Sequence, residues 1–526
     1  MNLYAQRIES LRALMRSRDW DAVILTGSDP HGSEYPAERY KQIRWLTGFT
    51  GEAADLVVTA DHAGLWTDTR YFIQALRELE GTGVELHKTR VPDQVLIPEW
   101  LASRFDSEAV LAVDGQCMTH AFAADIMGAF AEAGHEPLMV SAPELINVLW
   151  TDRPPIPQTP VFTVDSGRPR SDKLDMLREF CRREACDGIL VSALDEIAWT
   201  LDARASDIEY NPLVISYLLV TEDAASWFVL KDRIEDPDSE RAFEELLADG
   251  VALKRYDSLP EFLSESGGMR IFVDENSLNY QLYSTMEQAG VIPVAGRSPI
   301  ARAKAVKNPF EIEGMRSAHV RDGVAMVQFL YWLEKSVRAD RCISEWDAAV
   351  KLGELRAQAS LYQGDSFETI SAYGPGAALP HYVTPRENAP LLEAHGLYLC
   401  DSGGQYLDGT TDITRTLPLG DLTPLEREDY TLVLKGHIDL AMAQFPALTP
   451  GCRIDALARE PLWRYGRNFG HGTGHGVGWF LGVHEGPQDV RQNMNPEPLE
   501  PGMIVSDEPG IYREGMHGVR HENLLL

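Results

Sequence analysis

Cysteine is scarce in this 526-residue chain. Six residues are scattered at positions 117, 181, 186, 342, 400 and 452, and none forms a CxxC pair. That usage excludes a disulfide-stapled scaffold and points to a reducing cytoplasm. Basic residues are also short: 48 Lys and Arg face 80 Asp and Glu, a formal charge of -32. A surface of that sign repels phosphate, so nucleic acid is excluded as a partner, and anionic membrane with it. No apolar run approaches the ~20 residues needed to span a bilayer. The opening MNLYAQRIESLRALMRSRDW carries charges throughout an amphipathic pattern and does not read as a secretory signal. What remains is ordinary for soluble protein, with 44% hydrophobic and 24% charged residues. The length exceeds one hydrophobic core and implies two or three domains.

The chain repeats itself. Ile8, Leu11, Leu14 and Met15 recur at helical spacing and lead into the strand AVILT at 22–26. DLVVTADHAGLWTD (55–68) reads as a strand pair meeting at an Asp-His-Ala-Gly turn. Residues 151–160, TDRPPIPQTP, hold four prolines and form a linker. Beyond it the helical 173–186 leads to the strand DGILVS, EIAW (196–199) echoes QIRW (42–45), and TEDAASWF (221–228) echoes TADHAGLW (59–66). Residues 1–150 and 151–298 are therefore expected to be two copies of one α/β domain. From 299 to 526 the expectation is a third domain. It has a long helix interrupted at Pro309, a second helix over 344–358, and short strands forming a curved antiparallel sheet flanked by helices.

Five segments of this last domain place a carboxylate or imidazole beside glycine. Asp401 ends an apolar strand and Asp412 begins the next, so a hairpin turning near Tyr406 brings them together. Such like charges repel unless a cation lies between them. GHGTGHGVGWFLGVHEGP (470–487) sets His471, His475 and His484 among seven glycines, which suits close backbone approach. Glu508 and Glu522 flank a turn at Arg513-Glu514-Gly515. Each feature has an ordinary reading: a strand-end Asp as a turn residue, loop histidines as surface, Glu522 as an edge-blocking charge. Their joint occurrence favours a hard, oxygen-rich site for two divalent ions such as Mn²⁺, Co²⁺ or Zn²⁺. Two such ions can hold a hydroxide and polarise a carbonyl, which is hydrolytic chemistry.

DSGGQYLDGTTDITRT, HGTGHGVG, VHEGP, DEPGIY and GVRHEN resemble the metal motifs of the pita-bread metallopeptidases, within them most closely the long, three-domain aminopeptidase P family. HGSEYPAERYKQIRWLTGFTG, LWTDTRYFIQA and IAWTLDARASDIEYNP resemble that family's two creatinase-like N-terminal domains. The resemblance implies hydrolysis of the bond between an N-terminal residue and a following proline, with two divalent ions, Mn²⁺ foremost. It implies that Asp401 chelates one metal, that Asp412 and Glu522 bridge, and that His475 and Glu508 bind the second. Glu508 would also take or relay a proton. His381 and His484 would contact substrate, and His471 would handle a proton or position a neighbour. Arg520 would support the ligands. Arg70 would reach the substrate, across the interface of an implied homodimer. The partners implied are peptides with proline at the second position.

Two departures stand out. The chain ends at Leu526, four residues after Glu522, where family members continue, so the strand bearing Glu522 is expected to be poorly supported or the chain truncated. Pro380 in ALPHY replaces an apolar residue and is expected to reposition His381. Competing readings are a prolidase confined to Xaa-Pro dipeptides, a creatinase-like hydrolase, and a non-catalytic binding protein of the same fold.

Overall fold

The structure is a computed structural model and describes residues 2–143 and 145–526. It forms two compact units. One takes in the chain to Thr163, Arg168–Glu209 and Leu213–Pro299; the other comprises Val164–Gly167, Tyr210–Pro212 and Ile300–Leu526. Among the described residues no helix is long and apolar enough to cross a membrane.

The N-terminal unit contains the expected duplication. The helix Leu3–Arg18 is capped by Asn2, whose side chain accepts from the Tyr4 N–H at 3.0 Å, and it buries Ile8, Leu11 and Met15. Ala22–Thr26 follows as a strand buried along its length. The first sheet runs in the order Glu85–Lys88, Ala63–Thr67, Ala54–Thr59, Ala22–Thr26, Val110–Val113, Leu138–Ser141. The second runs Val251–Arg255, Ala225–Val229, Ser216–Thr221, Gly188–Val191, Arg270–Val273, Ile292–Ala295. Position for position the two orders are the same. QIRW opens the helix Gln42–Thr47, and EIAW lies in its counterpart Leu194–Leu201. The first hairpin differs in one detail from its sequence reading. Its turn is Ala60-Asp61-His62, closed by the Thr59 N–H on the His62 carbonyl at 2.8 Å, while Ala63 and Gly64 already belong to the strand. Thr59 and Asp61 side chains bond each other at 3.0 Å, so the polar residues take the turn and Ala63 pairs with Val58.

In the C-terminal unit, Pro309 begins a helix: Pro309–Arg338 starts with Asn308 as N-cap and Glu311 closing a capping box. The second helix, Glu345–Arg356, is capped by Ser344 in the same manner. All ladders of this unit are antiparallel, in four short groups. The break between Leu397–Ser402 and Gly404–Tyr406 falls at Gly403, where a Cβ would lie 2.0 Å from the Thr411 carbonyl oxygen. Asn523–Leu525 pairs with Val505–Asp507, so the strand beyond Glu522 is held by a neighbour and the expectation of poor support is corrected.

A buried ion pair fastens the helices to the hairpin that begins the site. Arg356, fully buried, binds Asp322 through Nε at 2.8 Å and Nη2 at 3.1 Å, and donates from Nη1 to the Gly403 carbonyl at 3.3 Å. Tyr406 Oη donates to the same Asp322 at 2.9 Å. Arg356→Leu leaves a buried carboxylate uncompensated and should destabilise this unit by about 3–5 kcal/mol. Denaturant unfolding of Arg356→Leu alone and combined with Asp322→Asn checks this: the double variant should lose less than the single one.

Candidate metal centre

The first hairpin pairs Leu397–Ser402 with Ile413–Pro418, Asp401 opposite Thr414 and Ser402 opposite Ile413. Its inner strands pair Tyr406 with Gly409, leaving Leu407-Asp408 at the tip. Asp412 stands just before the returning strand, diagonally across from Asp401. The second hairpin keeps one register throughout: Val505 faces Leu525, Asp507 faces Asn523, Gly510 faces Arg520 and Arg513 faces His517. Continuing that register places Glu508 opposite Glu522. The two hairpins are joined by Thr414, whose Oγ1 donates to Glu522 Oε2 at 2.7 Å and whose carbonyl accepts the Glu522 N–H at 3.2 Å.

His475 arrives on the short strand Gly474–Gly476. A Cβ at Gly474 would lie 1.9 Å from the Ser506 oxygen, and one at Gly476 would lie 2.2 Å from that of Glu485. The glycines are therefore required by backbone packing. Ser506 Oγ accepts the His475 N–H at 3.0 Å and donates to Glu508 Oε1 at 3.1 Å. His475 Nε2 then lies 3.4 Å from Asp412 Oδ2 and 3.3 Å from Glu508 Oε1. Asp412, His475 and Glu522 each offer a ligand atom within 4.8 Å of the others.

Electrostatics separates these groups. Burial raises Glu522 well above the ordinary carboxylate range, and Asp412, Asp401 and Glu508 add repulsion. Burial, opposed by Arg520 and aided by Asp412 and Glu508, lifts Asp401 to about 6. Burial also favours neutral Glu508, but His475 outweighs it and holds this carboxyl at about 2. His475 itself is raised well above its usual value, burial being overcome by Asp412 and Glu508. Asp401 Oδ1 is buried without a hydrogen-bond partner among the described residues. Four crowded carboxylates, one imidazole and an unsatisfied inward oxygen fit divalent cations.

Arg520 organises the flank. It binds Asp401 Oδ2 through Nε at 3.0 Å and Nη2 at 2.5 Å, and Nη1 donates to Tyr512 Oη at 2.7 Å. Tyr512 Oη also meets His471 Nε2 at 2.7 Å, and burial lowers His471 to about 4. The His484 ring stands edge-on to His475 with centroids 4.4 Å apart. His381 is half-buried, and the Pro380 carbonyl before it lies 3.4 Å from Arg520 Nη2. Arg70 belongs to the N-terminal unit, where Asp68 grips it at 2.9 Å and 2.8 Å.

Sequence reasoning missed the supports. Arg459 pairs with Asp455 at 2.6 Å one helical turn away, then donates to the Phe469 and His471 carbonyls at 2.7 and 2.8 Å. Asp455 Oδ1 accepts from Thr473 at 2.6 Å. The i,i+4 spacing of Asp455 and Arg459 signalled a pair but not the loop it holds. Asp429 accepts from His517 and Arg513 Nη2, both at 2.9 Å, and no motif announced it.

Residues 313–526 match the model of metallopeptidase family M24, and 7–149 and 152–311 each match a creatinase/prolidase N-terminal domain. Fold and site thus define an M24 metallopeptidase with two creatinase-type domains before it. The chain is 39% identical to the probable Xaa-Pro aminopeptidase P of Neurospora crassa, covering 99% of this chain and 78% of that one. It is 34% identical to the X-prolyl aminopeptidase of Caenorhabditis elegans, a cytosolic enzyme with a di-nuclear active site, at a TM-score of 0.94 over 100% of this chain and 87% of that one. An Xaa-Pro dipeptidase from Bacillus anthracis shares the fold at 24% identity and TM-score 0.57, over 68% of this chain and 95% of that one. This chain belongs to the aminopeptidase P family.

Arg520→Met removes the counter-charge of buried Asp401 and should lower divalent-metal affinity by about 10–100-fold. Metal titration of the purified variant checks this, and unchanged affinity would show that Arg520 does not tune the ligands.

Proposed function

We propose that this chain is a metal-dependent aminopeptidase releasing the N-terminal residue that precedes proline. The supporting observation is the convergence of Asp401, Asp412, His475, Glu508 and Glu522 from three separate segments, in a chain similar over its whole length to Xaa-Pro aminopeptidases. In this reading Asp401 would help hold one ion and His475 and Glu508 the other, with Asp412 and Glu522 contributing to both. Mn²⁺ is the ion assigned, with Zn²⁺ and Co²⁺ as alternatives. Bound ions would polarise the substrate carbonyl and lower the pKa of water.

The chain's own groups do the rest. Glu508 accepts and relays a proton. His381 and His484 donate hydrogen bonds to the tetrahedral oxyanion. The departing proline nitrogen gains the proton that Glu508 relays and so leaves as an amine; the N–H that an X–Pro bond lacks matters only to peptidases that grip that donor. His471, bonded to Tyr512, orients Arg520 and through it Asp401. Arg70 is assigned to substrate binding in a homodimer. Peptides with proline second are the substrates, the cytoplasm is the compartment, and residues 1–150, 151–298 and 299–526 are the three domains.

The prolidase reading has weaker support, because the dipeptidase from Bacillus anthracis matches only 68% of this chain. A panel of Gly-Pro against Xaa-Pro-Yaa peptides decides between them. Cleavage of the longer peptides is expected, and activity restricted to the dipeptide would overturn the proposal. His475→Ala should abolish hydrolysis and bound metal together, with the N-terminal sheets still folded by circular dichroism. His484→Ala should lower kcat by about 10²–10³-fold at unchanged metal content.

A further inference from the structure

A second cluster of metal-binding side chains lies in the first α/β sheet, unrelated to the carboxylate site. His62 ends the Ala60-Asp61-His62 turn, while Glu85 and His87 stand on the adjoining strand Glu85–Lys88. The strands pair Gly64 with Glu85 and Trp66 with His87, so residues 62, 64 and 66 share one face with 85 and 87. Gly64 opens the space between them. A Cβ there would lie 2.7 Å from His62 Nε2 and 2.8 Å from His87 Cδ2, so any other residue would fill the gap in which the imidazoles meet.

In that gap the two Nε2 atoms approach to 3.0 Å. They cannot both be protonated at that distance without repelling, so at least one presents a lone pair. Two imidazoles on one ion, with metal–nitrogen bonds of about 2.0–2.1 Å, hold their nitrogens about 2.9–3.4 Å apart for angles from 90° to tetrahedral. The observed separation falls in that range. His87 is fixed by stacking on Trp66 at 3.9 Å between ring centroids and 13° between planes, and Trp100 lies 5.1 Å from His62. Glu85 supplies the negative charge: its Oε2 stands 3.9 Å from His62 Nδ1, the ring nitrogen turned away from His87, and its 75% exposed side chain reaches an ion on the two Nε2 atoms by swinging round the ring. One ligand atom from each of the three residues lies within 4.8 Å of the other two. Arg104, whose charge acts on His62, is already paired with Asp61 at 2.7 Å.

We propose that His62, His87 and Glu85 form a second cation site, open to solvent, that takes a borderline divalent ion such as Zn²⁺ or Cu²⁺. Two nitrogens with one carboxylate suit these ions better than Mg²⁺ or Ca²⁺. The remaining coordination positions go to water.

Zn²⁺ bound per full-length chain, counted by calorimetry after chelation and dialysis, tests the site. Wild type should bind one more Zn²⁺ than His62→Ala/His87→Ala, and the two proteins should have equal peptidase activity with Mn²⁺. Equal Zn²⁺ stoichiometry would overturn the proposal and leave the histidines as a plain N–H···N pair. Should loss of the Trp66 stack unfold the sheet, as tryptophan fluorescence would reveal, the exposed Glu85→Gln substitution serves instead. It should weaken the additional Zn²⁺ by at least about tenfold, and unchanged affinity would equally reject the site. Both proteins share the same catalytic carboxylates, so this outcome is separable from failure of the peptidase reading.

Discussion

Repulsion among four crowded carboxylates, three of them buried and Glu508 partly so, is the constraint on which the C-terminal unit depends. Asp401, Asp412, Glu508 and Glu522 raise one another's proton affinity or compete for the same counter-charges, and His475, Arg520, His471 and the Thr414 hydroxyl oppose them. Desolvating charge at this density is costly unless cations or protons neutralise it. The fold meets that cost with strand register: two hairpins, one placing Asp401 and Asp412 diagonally and the other Glu508 opposite Glu522, are stitched together through Thr414 and Glu522. A one-residue slip in either hairpin would turn its carboxylates to the opposite face.

Around this charge cluster the backbone has almost no slack. Gly403, Gly474, Gly476 and Gly518 each sit where a Cβ would collide with a carbonyl oxygen, at 2.0, 1.9, 2.2 and 1.7 Å. Glycine weakens strands, and buried polar anchors offset that loss here. Arg459 and Asp455 hold the loop from Phe469 to Thr473, Asp429 ties the final hairpin to the helix Pro424–Ala441, and Arg356 secures Gly403. Activity and stability in this unit therefore share residues, since the groups that fix the ligands also close the core.

The N-terminal unit shows what duplication retains and discards. Both sheets keep the strand order, and both central strands are aliphatic and buried along their length. The cluster of His62, Glu85 and His87 belongs to one copy alone among the described residues. Its counterpart hairpin reads Thr221-Glu222-Asp223-Ala224, with an ordinary turn where the first copy has an imidazole. A shared scaffold thus leaves room for separate surface chemistry.

Much of the site was legible from sequence by itself. Asp401 and Asp412 lie eleven residues apart with turn residues between, and Glu508 and Glu522 surround Glu514-Gly515, so local pattern pointed to both hairpins and to each bringing its two carboxylates near one another. The duplicated domain was equally readable, because helix–strand–hairpin order is written in short-range patterns. Tertiary structure decided what depends on contacts between distant segments. It set His475, which only the family resemblance had singled out among the three histidines of 470–487, against Asp412 and Glu508, and it assigned His471 to Tyr512. It also supplied the anchors Arg459, Asp429 and Arg356, and brought His62 against His87. Periodicity reports which face of an element is buried. It does not report which buried face the chain will lay against it.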